Sequence, residues 1–224
     1  MKYSPDLELV TAATDYYEVE PINRAHAPRC EVCGKPIGMR PWLPPYRVEL
    51  ELWHKEFGDI AFGPCTDLLI SERFKRCYES AGLTGFLGFE PVEVVRVKKR
   101  KRFVGDPPPY YHVTASLSRT AVDLVKSGFE MKDNIPICSE CLAGGLVLHA
   151  RAIVIDSSTW SGEDVFISRA PAGGIIVTSE RFKEVCEANG ITNAVFIPAE
   201  EYSFDFYKPK DLGYYKSKKD GGSK

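Results

Sequence analysis

A fourteen-residue stretch that occurs twice constrains this chain more than any other feature. Ser71-Glu72-Arg73-Phe74 opens the first copy and Ser179-Glu180-Arg181-Phe182 the second. From Ser71 to Thr84, eight of fourteen positions recur at a constant offset of 108. The same offset carries Cys30 onto Cys138 and Cys33 onto Cys141. Two unrelated features sharing one offset point to an internal duplication, each copy holding a cysteine pair followed by a strand–helix–strand unit. Phe196-x-Pro198-x-Glu200 echoes Phe89-x-Pro91-x-Glu93 at an offset of 107, so one residue was lost or gained between the copies.

Each repeat carries the local signals of a short amphipathic helix. Ser71 and Ser179 are good N-caps, and Glu72 sits in the first turn, where negative charge suits the helix dipole. Phe74, Cys77, Tyr78 and Ala81 fall on one apolar face, as do Phe182, Val185 and Cys186. Gly82 and Gly190 supply the stops. Short buried strands precede the helices at Asp67–Ile70 and Ile175–Val177. Arg47–Trp53 alternates strictly, which predicts a half-buried strand, with Leu146–Ile155 as its counterpart. Further strands are expected at Leu7–Val10, Tyr16–Val19, Val92–Val97, Tyr110–Ala115, Ala194–Ile197 and Tyr202–Tyr207; Arg119–Lys126 forms a short helix or a turn. The fold class is therefore α+β. Residues 1–207 form a single domain of two pseudo-repeats, about 1–109 and 110–207, each of short strands and one main helix.

Seven cysteines is an odd number, and four of them form two C-x-x-C pairs. The start of the chain has no charged segment followed by an apolar one, and no apolar run approaches the roughly 20 residues that span a bilayer. The expectation is a soluble, cytoplasmic protein, and in that compartment the pairs favour a metal over disulfides. Cys65, Cys77 and Cys186 are left over, the last two as small hydrophobes on the helices' buried faces. A four-cysteine site from Cys30, Cys33, Cys138 and Cys141 would hold a structural Zn²⁺, because a closed tetrahedral thiolate set leaves no position for water. The pairs lie 104 residues apart, far more than in a common zinc ribbon. A duplication explains that gap if each copy gives half of one ribbon-like site. Four reduced cysteines without metal, or a redox C-x-x-C, are the alternatives; neither pair stands at a helix start after a strand, as redox chemistry favours. Gly34 follows the first pair and Leu142 the second. If φ there is positive, leucine costs about 1 kcal/mol or more, so the second turn is either shaped differently or partly degraded.

Charge is unevenly placed. Net charge is −2, yet the tail from Lys208 to Lys224 sets six lysines against two aspartates, which leaves −6 for residues 1–207. We expect the tail, residues 208–224, to be flexible. Arg96, Lys98, Lys99, Arg100, Lys101 and Arg102 form a basic strip without interleaved aromatics, which suits a charged guard on an edge strand better than a phosphate-tracking surface. His26 precedes Cys30 closely enough to replace a ligand, but a surface role is simpler for it; His54, His112 and His149 have no recognisable acid or nucleophile beside them in sequence. There is no phosphate-binding loop, nucleophile elbow or zinc-protease motif, so an enzyme is disfavoured. The repeated Glu72/Arg73 and Glu180/Arg181 pairs suggest structure: a dipole-favoured acid and an arginine for a neighbouring loop.

The ordered set C-x-x-C-G, a later C-x-x-C, and a D-x-F…S/T-E-R-F…G-I…F-x-P block resembles the double-CXXCG motif family of myxobacterial paralogues. The matching residues are Cys30, Cys33, Gly34, Cys138, Cys141, Asp164, Phe166, Ser179, Glu180, Arg181, Phe182, Gly190, Ile191, Phe196 and Pro198; Leu142 departs from the pattern. The resemblance implies an immunity protein of a polymorphic or contact-dependent toxin system, which binds and neutralises a cognate toxin without catalysis. A tight interface with aromatic anchors would follow, with Tyr16, Tyr17, Tyr110, Tyr111, Tyr214 and Tyr215 as candidates. The rival is a zinc-ribbon-like nucleic-acid-binding or regulatory module.

Overall fold

Two nine-residue helices, α1 (Glu72–Ser80) and α3 (Glu180–Ala188), begin where the serine caps place them. Ser71 Oγ accepts from the Phe74 N–H and Ser179 Oγ from the Phe182 N–H, each at 3.1 Å. The structure, a computed structural model, describes residues 14–64, 66–99, 105–132, 135–171 and 175–206. The expected strand Leu7–Val10, Cys65, the end of the basic strip at Arg100–Arg102, and the tail 208–224 lie outside those residues. No helix among the described residues is long and apolar enough to cross a membrane.

The remaining elements are mostly strands: β1 (Thr14–Glu18), β2 (Asn23–Arg24), β3 (Trp42–Leu43), β4 (Arg47–Leu52), β5 (Ile60–Phe62), β6 (Asp67–Ser71), β7 (Phe86–Pro91), β8 (Glu93–Lys99), β9 (Tyr110–Ala121), β10 (Glu130–Met131), β11 (Val147–Ala150), β12 (Val165–Arg169), β13 (Ile176–Thr178) and β14 (Phe204–Asp205), with the single-turn helix α2 (Leu124–Ser127) after β9. The main sheet runs β13-β12-β9-β6-β5-β1-β4-β8, and β7 also pairs β9. β10, β11 and β14 form a small second sheet, and β2 pairs β3. The architecture is mixed α+β and mostly strand. Strand count is not mirrored between the segments, since eight of these strands precede Tyr110 and six follow.

Strand alternation sorts the core onto two faces. Leu68 and Ile70 of β6 join Phe74, Tyr78, Phe182 and Cys186 of the helices, while Leu69 turns the other way to pack with Tyr16, Trp42, Leu50 and Tyr110. Burial of these side chains, each worth about 1.5–3 kcal/mol, is the main drive for both layers. Phe74 and Phe182 meet edge-on at 5.9 Å between ring centres. Cys186 is buried as expected and its thiol is pushed up to about 12 by desolvation, whereas Cys77 and Val185 are only partly covered.

Some expected strands take other forms. β4 is buried on both faces rather than one, because Arg96 and Lys98 of β8 neutralise Glu49 and Tyr17 covers Glu51. β9 runs through Ala121, so Arg119 is strand rather than helix. The strand expected over Leu146–Ile155 stops at Ala150, where the Arg151 and Ala152 N–H groups turn to the Ser127 carbonyl. Ala194–Ile197 forms no strand: β12 already has β9 on one side and β13 on the other, and Phe196 instead packs on the helix-side core. Tyr16 and Tyr110 are core residues, 1% exposed each, and so cannot be surface anchors.

Two buried aspartates tie the helices to each other. Asp59 accepts from Ser71 Oγ at 2.7 Å, from Arg73, and from both the N–H and Oγ of Thr192 at 2.9 and 2.8 Å. Asp164 accepts from Ser179 Oγ at 2.8 Å, from Arg181 Nη1 at 3.0 Å, and from the N–H and Oγ of Thr84 at 2.9 and 3.2 Å. Each arginine then reaches the end of the opposite helix: Arg73 donates to the Asn189 and Gly190 carbonyls, and Arg181 to those of Ala81 and Gly82. The arginines thus satisfy carbonyls that a helix leaves without partners. Gly82 and Gly190 adopt φ of 60° and 57° at those ends. Beside Thr84, Gly85 has φ of 107°, and a Cβ there would lie 1.8 Å from the Val165 carbonyl oxygen, so no other residue fits.

Candidate metal centre

Each cysteine pair forms a tight turn closed by backbone hydrogen bonds. In the first, the Cys30 N–H donates to the Lys35 carbonyl at 2.9 Å and the Gly34 N–H to the Cys30 carbonyl at 2.8 Å. In the second, the Cys138 N–H donates to the Ala143 carbonyl at 3.1 Å and the Leu142 N–H to the Cys138 carbonyl at 2.9 Å. Gly34 has φ of 70° and Leu142 of 59°. The second turn is therefore not shaped differently; it keeps the same geometry with a leucine in the left-handed position. Leu142→Gly is expected to raise unfolding free energy by about 0.5–1 kcal/mol, the relief of left-handed strain less the extra freedom of an unfolded glycine. Chemical denaturation of the two proteins checks it.

The two turns face each other. Cys30 Sγ lies 3.9 Å from Cys138 Sγ, and Cys33 Sγ lies 3.6 Å from Cys141 Sγ. All four sulfurs lie within 4.8 Å of one another. A disulfide needs about 2.05 Å, so these are free thiols. Zinc–sulfur bonds of about 2.3 Å in a tetrahedron put neighbouring sulfurs about 3.8 Å apart, and the two cross-turn distances of 3.6 and 3.9 Å lie on either side of that value. The donor set fits a zinc ion. Neither pair opens a helix, so the arrangement does not match the usual redox C-x-x-C setting. His26 is exposed and outside the cluster, so it is not a fifth candidate ligand.

Electrostatics favour a cation at this point. Cys30, Cys138 and Cys141 are buried at 4%, 9% and 8% exposure, with Cys33 on the outside. The Cys141 and Glu140 N–H groups point at Cys138 sulfur and pull its thiol down to about 6. Burial pushes the Cys141 thiol up, to about 12. Four thiolates so close together are stable only around a positive ion, and loading it must expel protons, so affinity falls as pH falls. Ile37 and Ala143 are the apolar cover.

Sequence reasoning located all four cysteines but missed Asp59. Its counterpart Asp164 lies 105 residues on rather than 108, because the segment before the second helix is longer by three, and the broken register hid the pair. The arginines that reach Asp59 and Asp164 were legible as partners for a neighbouring loop. No protein-family model matches this chain, and no curated protein matches it either.

Proposed function

We propose that this chain is a non-catalytic binding protein, held folded by one structural zinc at Cys30, Cys33, Cys138 and Cys141, and that its partner is a cognate bacterial toxin. The observation that carries the first half is the meeting of four sulfurs, two from each turn, all within 4.8 Å of one another. Such a site has no open position and supplies folding energy, not chemistry. The toxin reading rests on the resemblance to the double-CXXCG family. Its matching residues include the clamp formed by Asp164, Ser179 and Arg181 and the capping Gly190, which supports a shared scaffold. We read the scaffold as one domain of two pseudo-repeats, since Asp59 and Asp164 make the same contacts in each direction.

Tyr17, Trp160 and Phe206 are 46%, 48% and 48% exposed and are the aromatic side chains best placed to anchor a partner. The −6 charge of residues 1–207 would steer a basic toxin. The rival nucleic-acid reading is weakened by Arg96 and Lys98, which are engaged by Glu49 on the edge strand β8. The test is co-expression with the adjacent reading frame. Rescue of growth and co-purification as a complex are expected; salt-sensitive retention on DNA or RNA without rescue would replace this reading with its rival.

A further inference from the structure

A cleft of about 870 Å³ opens between the two cysteine turns and the β9–β12 surface. That size falls within the range of small-molecule sites. Its apolar lining includes Ile37, Met39, Leu117 and Ile167, and Leu117 is 42% exposed there although it lies within a long central strand. Its polar lining holds two buried atoms that find no partner among the described residues. Ser168 is only 4% exposed, yet its hydroxyl has no hydrogen-bond partner among the described residues. The neighbouring Arg169 Nε is likewise buried without an acceptor, while its Nη1 donates to the Glu140 carbonyl at 2.8 Å. Native proteins rarely leave buried donors unpaired, so these two need an acceptor from solvent or from a ligand in the cleft. On the rim, Arg119 is 86% exposed in its side chain, with Glu140 3.9 Å away.

We infer that this cleft binds a molecule with an apolar body and a single carboxylate, the carboxylate meeting Ser168, Arg169 and Arg119. An arginine Nε–H can only donate, so the ligand must present an acceptor. Arg29, Lys35, Arg119 and Arg169 outnumber Glu31 and Glu140 around the cleft by two charges. A zinc-loaded four-thiolate centre would carry −2 at its inner wall and offset that surplus at long range. Glu140 Oε1, 3.5 Å from Arg169 and 3.9 Å from Arg119, already offsets one of the two arginine charges, which leaves a site suited to a monoanion rather than a phosphate dianion. The toxin reading is not needed for this inference.

The test is isothermal titration of the full chain with decanoate and with N-acetyl-leucyl-phenylalanine, each against its primary amide. The first pair represents acyl acids and the second peptide C-termini, so the tighter acid identifies the source. Saturable binding is expected, with the acid at least about tenfold tighter than the amide, as charge-assisted hydrogen bonds are stronger. Leu117→Trp, which fills the cleft from an exposed position, should abolish binding. Arg119→Gln should narrow the acid-to-amide ratio by several-fold while leaving the far-ultraviolet spectrum unchanged. No saturation by any of the four compounds, or equal binding of acid and amide, overturns the inference; so does tight binding to a folded Leu117→Trp protein.

Discussion

Cys33→Ala is expected to lower the unfolding free energy by about 3 kcal/mol or more and to remove bound zinc, although Cys33 is exposed. An exposed residue away from any special feature normally changes stability by no more than about 0.5 kcal/mol when truncated. The difference is the signature of a ligand. Val32, 69% exposed in the same turn, is the matched control, and Val32→Ala should fall in the ordinary range. Burial makes Cys30, Cys138 and Cys141 poorer probes, because truncating them also removes packed atoms. A strong chelator should destabilise the wild type about as much as the substitution does, and should add little to Cys33→Ala, since both remove one ion from the folded state. Denaturant melts with metal analysis on the same samples check this. Equal, small effects for Cys33→Ala and Val32→Ala would mean that the four thiols hold nothing.

The second large effect is expected at Asp59. Asp59→Ala strands Ser71 Oγ, the Arg73 guanidinium and both donors of Thr192, and should cost about 2–4 kcal/mol. Arg73 is half exposed and regains water, which keeps the cost below that of a fully buried pair. Asp59→Asn keeps an acceptor and should cost roughly half as much. Asp164→Ala should behave like Asp59→Ala, because its contacts have the same pattern. The pH dependence has a definite sign. Burial pushes the Asp59 carboxyl up, but hydrogen bonds from Arg73, Ser71 and Thr192 outweigh it and hold the group below the usual carboxylate range. Its stabilisation is therefore present above the unfolded value near pH ~3.9 and is lost as pH falls through the lower folded value. Asp59→Asn should flatten the acid limb of the stability profile. An unchanged limb, or a loss below about 1 kcal/mol for Asp59→Ala, would remove the clamp from the account.

What could be read from the residues was whatever repeats with fixed spacing. Both helices, their serine caps, their glycine ends and the buried Phe74, Tyr78, Phe182 and Cys186 follow from local chemistry that needs no distant partner. The cysteine pairs were visible for the same reason, and their joint offset predicted that they meet. What stayed hidden depends on neighbours. β4 alternates like a half-buried strand, yet both faces are covered because β8 and Tyr17 bring partners for its glutamates. Ala194–Ile197 has strand composition but no free ladder to join. Tyr16 and Tyr110 looked like surface aromatics and are core, since position in the sheet decides what a tyrosine covers. Leu142 suggested a turn either shaped differently or partly degraded, and the backbone holds it in the glycine conformation. Ser168 and Arg169 carry no sequence signature at all; only the cleft makes them conspicuous.

X-ray absorption at the zinc edge, on protein expressed in zinc-replete medium, reaches the centre of this account. One zinc per chain with four sulfur neighbours at about 2.3 Å is the expected result. Protein purified without zinc, or an ion surrounded by nitrogen and oxygen, would contradict a centre built jointly by the turns at Cys30–Cys33 and Cys138–Cys141.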